Sequence, residues 1–238
     1  TMKEVEVGVD LKFFENRLGL DVAYYNRKTS KEIVSATTSV ASGYVSATSN
    51  FADLSNQGIE ILLTGTPVKT ALFTWNTSIN FTHNTNKITQ LYQGLNSITV
   101  GTSRSQNAFI EEVVGKSASQ VMAFDYKRDA SGNPVFDATG LPMQGNLNAY
   151  GPGYATTIGG WMNDFNYKGF ALSFLIDYKF GGKIFSATDY YAYYYGLHKN
   201  TLVGRAENSV IGKGVNEAGQ ANNVSALPQT YYSTLATN

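Results

Sequence analysis

Read with a period of two, six stretches of the chain alternate between apolar and mostly polar positions. In the first, Val5, Val7, Val9, Leu11 and Phe13 alternate with Glu4, Glu6, Gly8, Asp10 and Lys12. In the second, Leu18, Leu20, Val22 and Tyr24 alternate with Gly19, Asp21, Ala23 and Tyr25. The third sets Ile59, Ile61 and Leu63 against Gly58, Glu60, Leu62 and Thr64. The fourth sets Phe73, Trp75, Thr77, Ile79 and Phe81 against Thr74, Asn76, Ser78, Asn80 and Thr82. The fifth is less regular, with Trp161, Phe165 and Tyr167 sharing a face with Asn163. In the sixth, Phe170, Leu172, Phe174, Ile176 and Tyr178 oppose Ala171, Ser173, Leu175, Asp177 and Lys179. Successive strand side chains point to opposite faces, so the pattern predicts six β-strands, each with an uncharged apolar face and a mostly polar one.

Alternation alone also fits a sheet packed on a soluble core. Length and connections favour a different setting. Several runs reach about 9–11 residues, the span a tilted strand needs to cross a bilayer, against ~5–6 in ordinary sheets. Short connections around Glu15-Asn16-Arg17, Pro67-Val68-Lys69 and Lys168-Gly169 alternate with long ones over residues 27–56, 84–157 and beyond Gly181. All short turns then fall on one side and all long loops on the other, the anatomy of a transmembrane barrel. Aromatics sit near both ends of the strands: Phe13, Phe14, Phe73, Trp75, Tyr167 and Phe170 by the short turns, and Tyr24, Tyr25, Phe81, Trp161, Tyr178 and Phe180 by the long ones. Two such bands match the interfacial girdles of membrane barrels. The expectation is an all-β chain, a piece of a transmembrane antiparallel β-barrel with about six strands. Residues 1–180 would form six barrel strands in three hairpins with two long extracellular loops, and residues 181–238 a further extracellular loop region.

Composition narrows the function classes. Eighteen Lys+Arg balance eighteen Asp+Glu, which leaves no electrostatic footprint for nucleic acid. Cysteine is absent, so no disulfide or thiolate metal site can form. No window approaches the ~18 apolar residues of a membrane helix, and the residues after Thr1 lack the apolar stretch of a signal peptide. The 16 Tyr and 13 Phe suit strands with one wet end.

Several phrases resemble the SusC-like branch of the TonB-dependent outer-membrane transporters of Bacteroidetes. They run through residues 4–18, then Tyr24-Tyr25-Asn26-Arg27-Lys28-Thr29, Asn56-Gln57-Gly58-Ile59-Glu60-Ile61 and Phe73-Thr74-Trp75-Asn76. Val114-Gly115-Lys116, Phe124-Asp125-Tyr126, Asp129-Ala130-Ser131-Gly132-Asn133-Pro134 and the stretch from Phe174 to Gly182 follow in the same order. The resemblance covers about residues 1–190 and implies the C-terminal region of a large plugged barrel. It also implies import of an oligosaccharide or peptide, energised when the TonB system displaces the plug. A SusD-like surface lipoprotein would form a lid, the lipid bilayer would surround the wall, and the location would be the bacterial outer membrane. No plug-like region precedes Thr1, and Leu235-Ala236-Thr237-Asn238 is no aromatic-terminated closing strand. The chain is therefore expected to be incomplete at both ends. A passive porin-type barrel and a soluble β-rich binding module are the alternatives.

Catalytic and cofactor chemistry finds little support, and the expectation is neither an enzyme nor a cofactor protein. Gly115-Lys116-Ser117 imitates a phosphate loop, but Ile110 stands where that motif needs Gly. Glu111-Glu112 reads as a solvated loop pair. His83 and His198 lie in separate segments, with no spacing for zinc. Asp125, Asp129 and Asp137 flank a turn that lacks the order of a calcium loop. The conspicuous cluster is Tyr190, Tyr191, Tyr193, Tyr194 and Tyr195. Exposed rings of this kind stack on sugars or anchor partners, so these five are the candidate contact residues. The other reading is a loop that packs the rings against its neighbours.

Overall fold

The computed structural model describes residues 1–237, with the backbone alone at 34, 36, 37, 49, 51 and 93; Asn238, the end of the C-terminal sequence discussed above, lies outside the described residues. The strands in chain order begin with β1 (Met2–Phe13), β2 (Leu18–Thr37), β3 (Ser46–Lys69) and β4 (Phe73–Leu91). Shorter ones follow: β5 (Ser97–Thr102), β6 (Ala108–Val113), β7 (Gln120–Tyr126), β8 (Val135–Phe136) and β9 (Gln144–Pro152). Two long strands, β10 (Thr157–Tyr167) and β11 (Phe170–Phe180), precede helix α1 (Ala187–Tyr194). The chain closes with β12 (Val210–Ile211), β13 (Val215–Asn216), β14 (Ser225–Ala226) and helix α2 (Pro228–Thr237). It divides into two units: residues 1–100, 111–120 and 151–183, and residues 101–110, 121–150 and 184–238.

Unit one is built on an antiparallel sheet ordered β1-β2-β3-β4-β10-β11. Its strands are the six stretches marked by period-two alternation, several of them extended. β2, β3 and β4 run for 20, 24 and 19 residues. Register carries the alternation across the whole sheet. One row reads Leu11, Leu20, Leu63, Ile79, Trp161 and Ile176. The row beside it on the opposite face reads Asp10, Asp21, Leu62, Asn80, Gly160 and Asp177. A one-residue slip would exchange the faces, so the pattern fixes the register.

Turn chemistry closes the short connections. Lys168 and Gly169 both have positive φ (47° and 87°), the backbone of a two-residue hairpin whose twist matches its strands. In β2, Lys31 also has positive φ (59°) at a register shift, and its amide donates to the Asp53 carboxylate at 2.8 Å. The Asp53 carboxylate thus satisfies the Lys31 amide where the ladder is interrupted. Two tyrosines lie over glycines on neighbouring strands, Tyr25 over Gly58 and Tyr178 over Gly159. A side chain at either glycine would collide with the ring and with backbone oxygens of β4.

The buried apolar cluster of unit one is small and local: Ala52, Ile88, Leu91 and Ile98, with Leu54, Val100 and Ala118 against it. The apolar face of the sheet is exposed instead. Val5 and Val7 are each 69% exposed on the β1 edge, and Leu172 is 60% exposed on the β11 edge. Two polar register partners, Asn163 and Thr77, interrupt that face. Asn163, 1% exposed, accepts from Trp75 Nε1 at 3.0 Å and from Thr77 Oγ1 at 3.1 Å. The irregular fifth stretch is thus a hydrogen-bonded indole–hydroxyl–amide cluster.

Three expectations are corrected here. The chain is not all-β: α1 and α2 make it a mixed α/β chain. The six-stranded sheet is open, with β1 and β11 at its edges, so the described chain is not a closed transmembrane barrel. The C-terminal barrel region implied by the SusC-like resemblance is therefore not what the chain forms, and the membrane-barrel description falls with it. Closure needs a strand number and stagger that bring the edges together, and these six strands do not. No helix among the described residues is long and apolar enough to cross a membrane.

The long connections hold structure of their own. A second sheet is ordered β5-β6-β7-β9, and two-stranded pairs join β12 to β14 and β13 to β8. Unit two has a buried set of its own that includes Val135, Phe136, Val210, Ala226 and Tyr232. Gly212 and Gly214 allow the Phe136 ring to lie against their backbone.

Candidate functional site

The tyrosine run does not form a loop. It occupies α1 and its C-terminal cap. Ser186 caps the helix by accepting from the Asp189 amide at 3.2 Å, and Asp189 places a negative charge in the first turn, where the helix dipole favours it. Rings four residues apart stack: Tyr190 on Tyr194 at 6.0 Å and Tyr191 on Tyr195 at 6.1 Å between centroids. Tyr190 also meets Phe185. Tyr193 faces elsewhere, stacked on His198 at 4.4 Å with its hydroxyl accepting from Asn200 Nδ2 at 2.8 Å.

The helix therefore sorts the five candidates. Tyr193, Tyr194 and Tyr195 line a cavity of about 600 Å³ together with Arg205, Gln229 and Tyr232. Tyr190 and Tyr191 do not line it. Tyr194 and Tyr195 are the more exposed rings, at 40% and 67%. Such a volume lies within the ~300–1,000 Å³ of small-ligand pockets. Burial raises the phenol of Tyr232, and the nearby Arg205 charge partly opposes that rise. Tyr232 donates to the Val203 carbonyl at 3.0 Å. A second, more apolar cavity of about 400 Å³ adjoins Phe136, Val203, Val210, Tyr231 and Leu235.

Arg205 is held tightly. Its Nε donates to the Thr201 carbonyl at 2.8 Å, and Nη2 donates to Thr201 Oγ1 at 2.8 Å and to the Gly196 carbonyl. Thr201 is fully buried. Gly196 has φ of 69°, and a Cβ there would strike the guanidinium. Arg205, Gln229 and Tyr232 were not legible as site residues, because they stand 10 to 37 positions beyond Tyr195 with no shared motif. The Tyr231-Tyr232 pair, echoing the earlier run, was the available signal.

The remaining candidates have structural roles. Glu111 and Glu112 are not solvated: they lie on β6 and are 8% and 9% exposed. Glu112 accepts from the Ser119 amide at 3.1 Å, Glu111 accepts from Thr99 Oγ1 at 3.1 Å, and burial pushes the Glu112 carboxyl up. Gly115-Lys116-Ser117 is a turn that exchanges backbone hydrogen bonds with Ile88. Asp129 accepts from the Asn133 side-chain amide at 3.0 Å and from the backbone amides of Asn133 and Ser131 at 2.8 and 2.9 Å, which lowers its pKa. Asp137 repeats the motif with Thr139 and Leu141, and Asn216 repeats it again with Ala218 and Gln220. Among the described residues, no three acidic, His or Cys side chains are grouped to hold a metal. His83 is engaged with Thr157 at 2.8 Å.

An open six-stranded sheet joined to a mixed α/β unit with an aromatic cavity defines the class of fold. No family model matches the chain. Two curated proteins of Formosa agariphila are similar to it. TonB-dependent receptor P39 is 23% identical over 229 residues, covering 77% of this chain and 22% of the relative. TonB-dependent receptor P3 is 25% identical over 213 residues, covering 79% and 21%. The chain thus spans about a fifth of the length of these relatives. Among solved structures, the RagAB peptide transporter superposes with a TM-score of 0.69 at 20% identity, covering 96% of this chain and 26% of that one. The RagAB peptide importer in its closed-closed state gives 0.58 at 20% identity, covering 76% and 21%. The structural matches establish a shared fold. Together the comparisons link the chain in general terms to TonB-dependent transport and the bacterial outer membrane.

Proposed function

We propose that the chain is a segment of an outer-membrane protein that imports a nutrient, a peptide or an oligosaccharide, with energy drawn through TonB. The observation that carries this reading is the exposed apolar face that runs in register across all six strands of the large sheet. An apolar surface of that extent marks a lipid or protein contact. In this reading lipid covers it, and the polar face, with Glu6, Asp10, Glu60 and Asp177, is hydrated. Unit two presents the ligand cavity, and a SusD-like surface lipoprotein covers the ligand. Coupling to TonB belongs to plug sequence elsewhere in the whole protein. The names of the relatives and the peptide cargo of the RagAB transporter support this assignment.

A second reading, a β-rich binding module, is favoured by the open sheet, the two helices and the cavity of unit two. It keeps the ligand site and gives up the lipid contact. Uptake separates the two. In cells carrying the gene, import of labelled oligopeptide or oligosaccharide is expected to be lost both when the gene is deleted and when TonB is inactivated. Uptake that survives TonB loss but not gene loss would indicate passive diffusion. Uptake indifferent to the gene would leave the binding module.

A further inference from the structure

We propose that the cavity of unit two selects acidic ligands, holding a carboxylate on Arg205 while the body of the ligand lies against Tyr194 and Tyr195. The proposal rests on the ligand-binding reading above and narrows its ligand class. Arginine has five N–H donors in a planar fork. Three of them are engaged here by neutral acceptors, the Thr201 carbonyl and hydroxyl and the Gly196 carbonyl. Among the described residues, Nη1 has no acceptor and the guanidinium meets no carboxylate; the ion pairs of unit two are Lys127–Glu217 and Arg128–Asp125.

A cation fixed on a buried threonine, uncompensated and lining a cavity, is pre-organised for an anion. Little rotamer entropy remains to be lost on binding, and arginine matches the planar geometry of a carboxylate. The exposed tyrosine rings supply flat surface for a sugar or an apolar side chain. Arg205 also caps the end of α1 through Gly196. A purely structural cap would stabilise the fold yet give no preference for charged ligands.

The test is equilibrium binding to the full chain by calorimetry, with two matched pairs of probes. Trigalacturonic acid is compared with its fully methyl-esterified form, and the tripeptide Gly-Phe-Ala with its C-terminal amide. At least one acid is expected to bind about tenfold or more tightly than its neutral partner, the size of a charge-assisted hydrogen bond. The pair that shows the difference identifies the source as uronic acid or peptide terminus. Arg205→Gln should abolish the preference and Arg205→Lys should retain part of it, with folding checked by circular dichroism. Equal affinities within both pairs, or no binding by either acid, would overturn the proposal using the unaltered chain alone. So would a folded Arg205→Gln variant that keeps the preference. Normal TonB-dependent uptake with no charge preference would sink this inference and leave the import reading intact.

Discussion

Arginine in place of Val9 is expected to cut the amount of protein assembled in the outer membrane severely, whereas arginine in place of the adjacent Asp10 leaves it near normal. The two residues are neighbours in β1 but belong to opposite faces. Val9 stands beside Val22 and, through it, Ile61 and Phe81. Asp10 stands beside Asp21 and within 3.5 Å of Lys12. An arginine pressed into an apolar contact without a partner costs several kcal/mol, while a hydrated one costs little. Losing the exposed Asp10–Lys12 pair matters little as well. Protease-protected, heat-resistant protein in outer-membrane fractions measures the effect. Equal yields for the two variants would contradict lipid contact at this face.

The second large effect is expected in the aromatic cavity. Replacing Tyr194 and Tyr195 together by Ser should weaken ligand binding at least tenfold and leave thermal stability almost unchanged. Both rings are exposed and line the cavity, and a ring covered by a partner contributes ~1 kcal/mol or more. Replacing Tyr190 and Tyr191 together by Ser should do the reverse. Tyr190 packs on Phe185 and Tyr191, and neither ring lines the cavity. Stability should fall while the folded fraction still binds. Calorimetric affinity and melting temperature, measured on both multiple mutants, decide the matter, and unchanged affinity in a folded Tyr194/Tyr195 double variant would remove these rings from the site.

The contrast between legible and hidden features has physical causes. The strands of the large sheet were legible because one apolar face repeats every second residue, and even the irregular Asn163 stretch is a strand. Helix α1 was hidden because it is only eight residues long and rich in tyrosine, a middling helix former, so too few turns are present to show a 3.6-residue stripe. Its cap was visible, as Ser186 followed three residues later by Asp189. So was the Pro228 that opens α2. Strands of two residues, such as β8 and β12 to β14, are too short to show any period. The piece of a transmembrane barrel was an inference from strand lengths, connection lengths and aromatic bands. The connection lengths are equally consistent with connections that fold into a second sheet and a helical unit. The tyrosines stood out by composition, but the arginine facing them is set by tertiary packing on Thr201 and Gly196, which no local pattern encodes.

Lipid cover of the apolar face of the large sheet is directly measurable. The chain contains no cysteine, so single cysteines introduced at Leu172, Phe174 and Ile176, or at Ser173, Leu175 and Asp177, can each carry a unique spin label on β11. Collision of the labels with oxygen, which concentrates in lipid, and with a water-soluble nickel chelate distinguishes the two environments in native outer membranes. High oxygen and low nickel accessibility are expected at 172, 174 and 176 and the opposite at 173, 175 and 177; equal nickel accessibility on both faces would rule out lipid cover.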